Sequence, residues 1–291
     1  MSEVHYGGQA VIEGVMIRGA RHMAVAVRKP SGEIVVHSEP LPSGIYNSPL
    51  GKLPLVRGLT MLWDTLVLGT RSLMYSADVA LAEENVQFGG PMIWGTLLVS
   101  LAFGIGLFVL LPMLLVGLVD RYITIPLLSN LVEGVVRLLF FLAYLLAIRR
   151  LPDIRRVFAY HGAEHKAVNA YESGAPLTVE GIKSFPVAHT RCGTSFLLIV
   201  LVLFVLLSAL LGRPPLAWRV LSRLALVPIV AALAYEFIKF TARHYDRPLV
   251  RFLLVPGLWL QQLTTQEPDE RMLEVSIAAL QRVLAEDGAA A

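Results

Sequence analysis

Long apolar runs separated by short polar connections dominate the chain between residues 91 and 240, with segments of mixed character on either side. Four runs read as membrane spans: Pro91–Val119, Pro126–Ile148, Thr194–Leu211 and Leu221–Phe240, the last with Pro228 as a kink. The run Pro248–Leu260 covers only thirteen residues and contains Arg251, Pro256 and Gly257, so it reads as re-entrant or interfacial. Between Leu53 and Leu73 apolar residues recur at helical spacing, but Arg57, Asp64 and Arg71 interrupt them. An amphipathic helix in the interface, or packed on the spans, is expected, closed by Glu83-Glu84-Asn85.

The flanking pieces have different periods. Residues 1–45 carry short, partly alternating runs, His22–Val27 and Glu33–His37, around Lys29-Pro30-Ser31-Gly32, which is a hairpin signal. Before them Gly7, Gly8, Gly14 and Gly19 punctuate a β-segment whose spacing matches neither a P-loop nor a dinucleotide fingerprint. Residues 264–285 form an amphipathic helix with Met272, Val275, Ile277, Leu280 and Val283 as its apolar stripe and Thr265 or Asp269 as its cap. The expected fold is mainly α and polytopic. It comprises a β-containing segment 1–45, an interfacial helical region 46–88, transmembrane hairpins at 91–149 and 194–240, a basic loop 150–193, and an interfacial segment plus C-terminal helix at 241–291.

Composition supports a membrane protein. The 291 residues are 55% hydrophobic and 16% charged, against about a quarter charged in soluble domains, and the mean hydropathy is +0.63. The formal charge of +3 is too small to imply a nucleic-acid partner, which leaves the lipid bilayer and proteins docking on the cytoplasmic face. No apolar h-region occupies the first thirty residues, so no secretory signal is expected. Lys and Arg cluster before the first span, between spans two and three, and after span four. The opposite connections carry only Arg121, Arg213, Arg219 and Arg223. This bias places both termini in the cytoplasm. The lone Cys192 excludes an intrachain disulfide. Within the second span Glu133 and Arg137 stand four apart and are expected to pair while reaching the interface.

The candidate chemistry lies in Tyr160–Glu172, YHGAEHKAVNAYE. Its H-x-x-E-H order matches the inverted zincin pattern, in which two imidazoles bind zinc and the carboxylate is the general base. On a helix Ala159–Gly174, His161, His165 and Glu172 lie within roughly 40° of one another, but Glu172 is about 10 Å along the axis from His165 and too far to share an ion. His189 and Cys192, three residues apart at the mouth of the third span, are better donors. His161, His165, His189 and Cys192 make a four-ligand zinc set with Glu164 as base. His244 and Asp246 are further candidates. A closed four-ligand site would be structural and an open three-ligand site catalytic, and histidines beside a membrane also cap helices without any metal.

Four segments, GGQAVIEGVMIRG at 7–19, YHGAEHKAVNAYE at 160–172, HTRCGTSF at 189–196 and TTQEPDERMLEVSIAAL at 264–280, resemble the YqhQ family of bacterial membrane proteins. The resemblance implies an integral membrane protein of a bacterium in a family of unestablished function often labelled metal-dependent enzymes. Members usually carry His-Pro-Arg-Cys where this chain has His189-Thr190-Arg191-Cys192. Two functions stay open: a cytoplasm-facing zinc hydrolase acting on a peptide or amide bond, and a non-catalytic scaffold assisting insertion or assembly of membrane proteins.

Overall fold

The computed structural model describes residues 6–41, 53–82, 90–190, 192–212 and 214–289. The expected Glu83-Glu84-Asn85 stop and Arg191 lie outside the described residues.

Four strands, β1 (Gly7–Val11), β2 (Gly14–Arg18), β3 (His22–Arg28) and β4 (Ile34–Pro40), form an antiparallel meander in sequence order. Both predicted β-segments are present. The β1–β2 turn places Glu13 at φ 52, and Gly32 at φ 91 completes the β3–β4 turn, where Arg28 Nη1 donates to its carbonyl at 2.7 Å. Alternation along the strands is between two buried faces, not between core and water. Val15, Ile17, Ala24 and Ala26 pack against helices α5 (Pro152–Glu172) and α10 (Glu270–Ala289), whereas Met16, Met23, Val25 and Val27 pack against Leu68 of α1 (Val56–Ala80). The result is three layers: α1, sheet, then α5 with α10. The predicted stripe of α10 is buried throughout, and Asp269 is its cap, accepting from Met272 N at 2.8 Å.

Apolar helices continue from this body. Among the described residues, three are long and apolar enough to cross a membrane: Trp94–Val119, Pro126–Ile148 and Ala217–Thr241. The first consists of α2 (Gly90–Ile105) and α3 (Leu111–Val119) joined through a π turn, Gly106–Leu110, where Leu111 N donates to Gly106 O. Pro112 explains the turn. It has no N–H to give the Phe108 carbonyl, and Arg137 Nε supplies the missing donor at 2.7 Å. Helix α4 (Pro126–Ile148) returns, the 17-residue apolar α7 (Gly193–Ala209) leaves again, and α8 (Leu216–Arg243) comes back as a continuous helix through Pro228. The short α6 (Val179–Lys183) lies in the loop after α5.

Helix α1 packs on α8, as one of the two sequence alternatives expected. A Cβ at Gly58 would lie 3.1 Å from Ala232 Cα, and Arg57 pairs with Glu236. Its other side exposes Leu59, Trp63, Leu66 and Leu73. The short apolar run at 248 is part of a 17-residue helix, α9 (Pro248–Thr264), which exposes Leu249, Phe252, Leu253 and Trp259.

One expectation is corrected. Glu133 and Arg137 do pair, at 2.7 Å, but they are 1% and 3% exposed and do not reach an interface. Arg219 and Arg223 of α8 pack over them, a contact between distant segments that spacing along α4 cannot reveal.

Asp287, near the C-terminus of α10, stands where a helix dipole disfavours an acid. Its carboxylate accepts from the amides of Ala20, Arg21 and His22 and contacts His22 Nδ1 at 3.1 Å, closing the β2–β3 turn. Burial pushes its pKa up, but the Ala20 amide, the His22 side chain and the other two amides together bring it below the usual aspartate value. A lowered native pKa adds stability that is present above the unfolded pKa of about 3.9 and lost as pH falls through the native one. Asp287→Ala is therefore expected to cost about 1–3 kcal/mol in thermal unfolding of the detergent-solubilised protein at pH 7, with the difference from wild type shrinking below about pH 4.

Candidate metal centre

Helix α5 carries the H-x-x-E-H segment and begins seven residues before the expected Ala159, because Pro152 occupies its first turn with Asp153 beside it. It ends where predicted. Gly174 takes φ 72, Ala175 N bonds Ala170 O at 2.9 Å, and Gly174 N bonds Tyr171 O at 3.0 Å, which together satisfy the last carbonyls. The helix is polar yet deeply buried, with Glu164, His165 and Lys166 at 3%, 1% and 4% exposure. Lys166, counted in the basic loop, is tied down by Lys183 O at 2.7 Å and Glu267 at 2.6 Å.

His161 Nδ1 lies 2.9 Å from Thr264 O, and His165 Nδ1 lies 2.6 Å from Val187 O. A carbonyl only accepts, so both Nδ1 atoms carry the proton and both Nε2 lone pairs remain available. The rings are 4.4 Å apart by centroid. Cys192 caps α7, its sulfur accepting from Thr194 N at 3.4 Å and lying 3.3 Å from His161 Nε2. One donor atom each from His161, His165 and Cys192 lies within 4.8 Å of the others. Two imidazoles with committed Nδ1 atoms and a cysteine sulfur are a donor set of the kind that fits a zinc ion.

The remaining sequence candidates are placed as follows. Glu164 Oε1 accepts from Gly8 N at 2.9 Å, leaving Oε2 3.5 Å from His165 Nε2. His189 adjoins this group, its ring 5.7 Å from that of His165, but its Nε2 faces Glu172 at 3.4 Å and it is not among the three converging donors. Burial pushes the His189 pKa down against the opposing pull of Glu164, which favours the neutral ring. Glu172 thus partners His189. Asn169 on the same stripe donates to Pro186 O and Ala188 O, holding the returning loop. His244 stacks on Phe240 and bonds its carbonyl, apart from the cluster; Asp246 is likewise outside it.

Several contributors were not singled out from sequence. Gln261 is fully buried. Its Oε1 accepts from His189 N at 2.9 Å, and its Nε2 donates to His189 O at 2.8 Å and Ser195 Oγ at 3.0 Å. Gly8 belongs to the glycine doublet that sequence read as backbone punctuation. Beside His161 and Cys192 lies a cavity of about 370 Å³. Phe141, Leu145 and Ile148 of α4, Leu197 of α7 and the β1 residues Gly8–Ala10 line it.

These features define a helical protein with membrane-type apolar helices, a small antiparallel sheet and a buried His/Cys cluster between them. The family described as "Protein of unknown function (DUF1385)" matches residues 53–286, and the chain is 34% identical to "Uncharacterized protein YqhQ" of Bacillus subtilis (strain 168) over 96% of its own length and 92% of that protein. The chain belongs to this family. No solved structure matches it.

Gly162, between the two histidines, admits the α9–α10 connection: a Cβ there would sit 2.1 Å from Gln266 O, and Gln266 N bonds Phe158 O at 2.9 Å. Gly162→Ala is expected to push this connection away, lowering stability by about 1–3 kcal/mol and exposing the 264–269 segment to protease in limited proteolysis.

Proposed function

We propose that this protein is a zinc-dependent hydrolase of the bacterial cytoplasmic membrane, with its chemistry at the cytoplasmic face. Helices α2–α3, α4, α7 and α8 serve as four spans. The 17 residues of α7 rise about 25 Å, near the roughly 30 Å hydrocarbon core. The Lys/Arg bias supports the orientation. Of the four arginines counted on the opposite side, Arg219 and Arg223 are buried in ion pairs and not displayed in a loop.

The observation that carries the chemical reading is the convergence of His161, His165 and Cys192 beside a cavity, with both Nδ1 atoms already bonded to carbonyls. Three protein ligands with an open side is the catalytic pattern, whereas four would close it. Zinc held there would supply Lewis acidity, polarising a carbonyl and making water more acidic. His161 and His165 would hold it through Nε2, and Cys192 through its sulfur. Glu164 would accept the proton lost by the attacking water on Oε2, since the Gly8 amide anchors Oε1, and return it to the leaving nitrogen. His189 supports the loop that leads into Cys192 and is not assigned as a ligand. The apolar ends of α4 and α7 that line the cavity suit a peptide or amide substrate carrying an apolar segment.

Elemental analysis of detergent-purified protein is expected to find one zinc per chain, falling below about a tenth of that in His161→Ala and Cys192→Ala. Glu164→Gln is expected to retain the metal and lose at least about a hundredfold in turnover of acylated peptide amides. Absence of stoichiometric metal in the wild type contradicts the proposal. Unchanged turnover in metal-loaded Glu164→Gln contradicts the role of Glu164.

A further inference from the structure

A second charged cluster lies at the ends of the apolar helices remote from His161. Glu133 of α4 is its centre. Its Oε1 accepts from Arg137 Nη2 at 2.7 Å, and its Oε2 accepts from Arg219 Nη2 at 2.5 Å. Arg223 Nε lies 3.8 Å from Glu133 Oε1, too far for a hydrogen bond, while Arg223 Nη2 donates to Asn130 Oδ1 at 3.1 Å. Asp120 pairs with Arg219 at 3.4 Å and also accepts from Ser129. Asn130 completes the group by donating to Ala209 O and Gly212 O at the end of α7.

The charges do not balance. Three guanidiniums, which stay protonated in proteins, face two carboxylates, leaving one positive charge among the described residues. In the sequence, the two connections at this end add Arg121 and Arg213 and no acid beyond Asp120. The N-termini of α4 and α8 start one to two turns away, and their dipoles add positive potential. Hydrogen bonding is unbalanced too. Among the described residues, Arg137 Nη1, Arg219 Nε and both Nε and Nη1 of Arg223 are buried without a hydrogen-bond partner, on residues 3%, 8% and 1% exposed, although the Arg137 guanidinium also lies over the Phe204 ring at 4.7 Å. Native interiors leave few such donors, and an uncompensated cation inside a bilayer is costly. A lock between helices needs only matched pairs. Surplus cation and surplus donors around one carboxylate match the demand of a tetrahedral or planar oxyanion for forked donors.

We propose that Arg137, Arg219 and Arg223 form a binding site for a phosphate-bearing anion. It is reached from the end of the spans past Asp120, whose side chain is 20% exposed and touches the shallowest arginine, Arg219. Glu133 sets the spacing of the three guanidiniums and moderates affinity by competing for them. The phosphate belongs to a lipid headgroup or to free phosphate; the recognition chemistry is the same. The site lies at the opposite ends of the apolar helices from the His161–His165–Cys192 cluster and does not rest on the reading of that cluster.

The test uses the full-length protein in detergent. Native mass spectrometry with added phosphatidylglycerol reads the lipid source, and titration calorimetry with inorganic phosphate reads the free one. One of the two is expected to bind, about tenfold or more weaker in Arg223→Gln through loss of a charge-assisted contact. Glu133→Gln is expected to bind more tightly than wild type although it is less stable, a divergence that a merely structural network does not produce. Arg219→Lys, which keeps the charge and loses the fork, covers the case in which Arg223→Gln fails to fold, and is expected to weaken binding. If neither probe binds the wild type, or binding is unchanged in the folded arginine variants and in Glu133→Gln, the proposal is overturned and the cluster is a helix lock alone.

Discussion

The bonds from His161 and His165 to the carbonyls of Thr264 and Val187 are the constraint on which the rest of the arrangement depends. Each uses one ring nitrogen to anchor a segment distant in sequence, the end of α9 in one case and the loop before α7 in the other. The same two bonds that dock α5 therefore hold both rings in place, with the opposite nitrogen of His161 3.3 Å from the Cys192 sulfur and that of His165 3.5 Å from Glu164. A polar helix survives at the centre of the fold because nearly every polar group along its buried face has a partner. Gly8 holds Glu164, Pro186 and Ala188 hold Asn169, and Lys183 and Glu267 hold Lys166.

The surrounding layers make this geometry rigid. The sheet packs one face on α5 and α10, and Ala24 and Ala26 supply small side chains on that face. The other face rests on α1, which is joined to α8 by the close approach at Gly58 and by Arg57 with Glu236. Gln261 then connects α9 to the His189 backbone and to Ser195 of α7, so the mouth of α7, where Cys192 caps the helix, is held from two sides.

Local chemistry was legible in the sequence, and long-range pairing was not. The β3–β4 turn, the Asp269 cap, the Gly174 stop and the apolar runs were all readable because each depends on neighbours within a few residues. The H-x-x-E-H spacing puts His161 and His165 one turn apart on α5, with rings 4.4 Å apart by centroid, and the fold brings the Cys192 sulfur near them. His189 was grouped with the same cluster, but Glu172 lies within its reach and pairs with it, a choice made by the fold of the 173–188 loop. Glu133 and Arg137 looked self-sufficient at four residues apart. Only the packing of α8 on α4 shows that two more arginines share the same carboxylate. The three-layer burial of the sheet was equally hidden, since strands covered on both faces lose the apolar–polar alternation that marks a half-buried sheet.

The central claim is that His161, His165 and Cys192 hold one zinc ion with an open side. X-ray absorption at the zinc edge of the purified protein tests it most directly. The account predicts one sulfur scatterer at about 2.3 Å and two imidazole nitrogens at about 2.0–2.1 Å, with the remaining shell made up of oxygen. A spectrum without sulfur, or with two or more sulfurs per zinc, would contradict it.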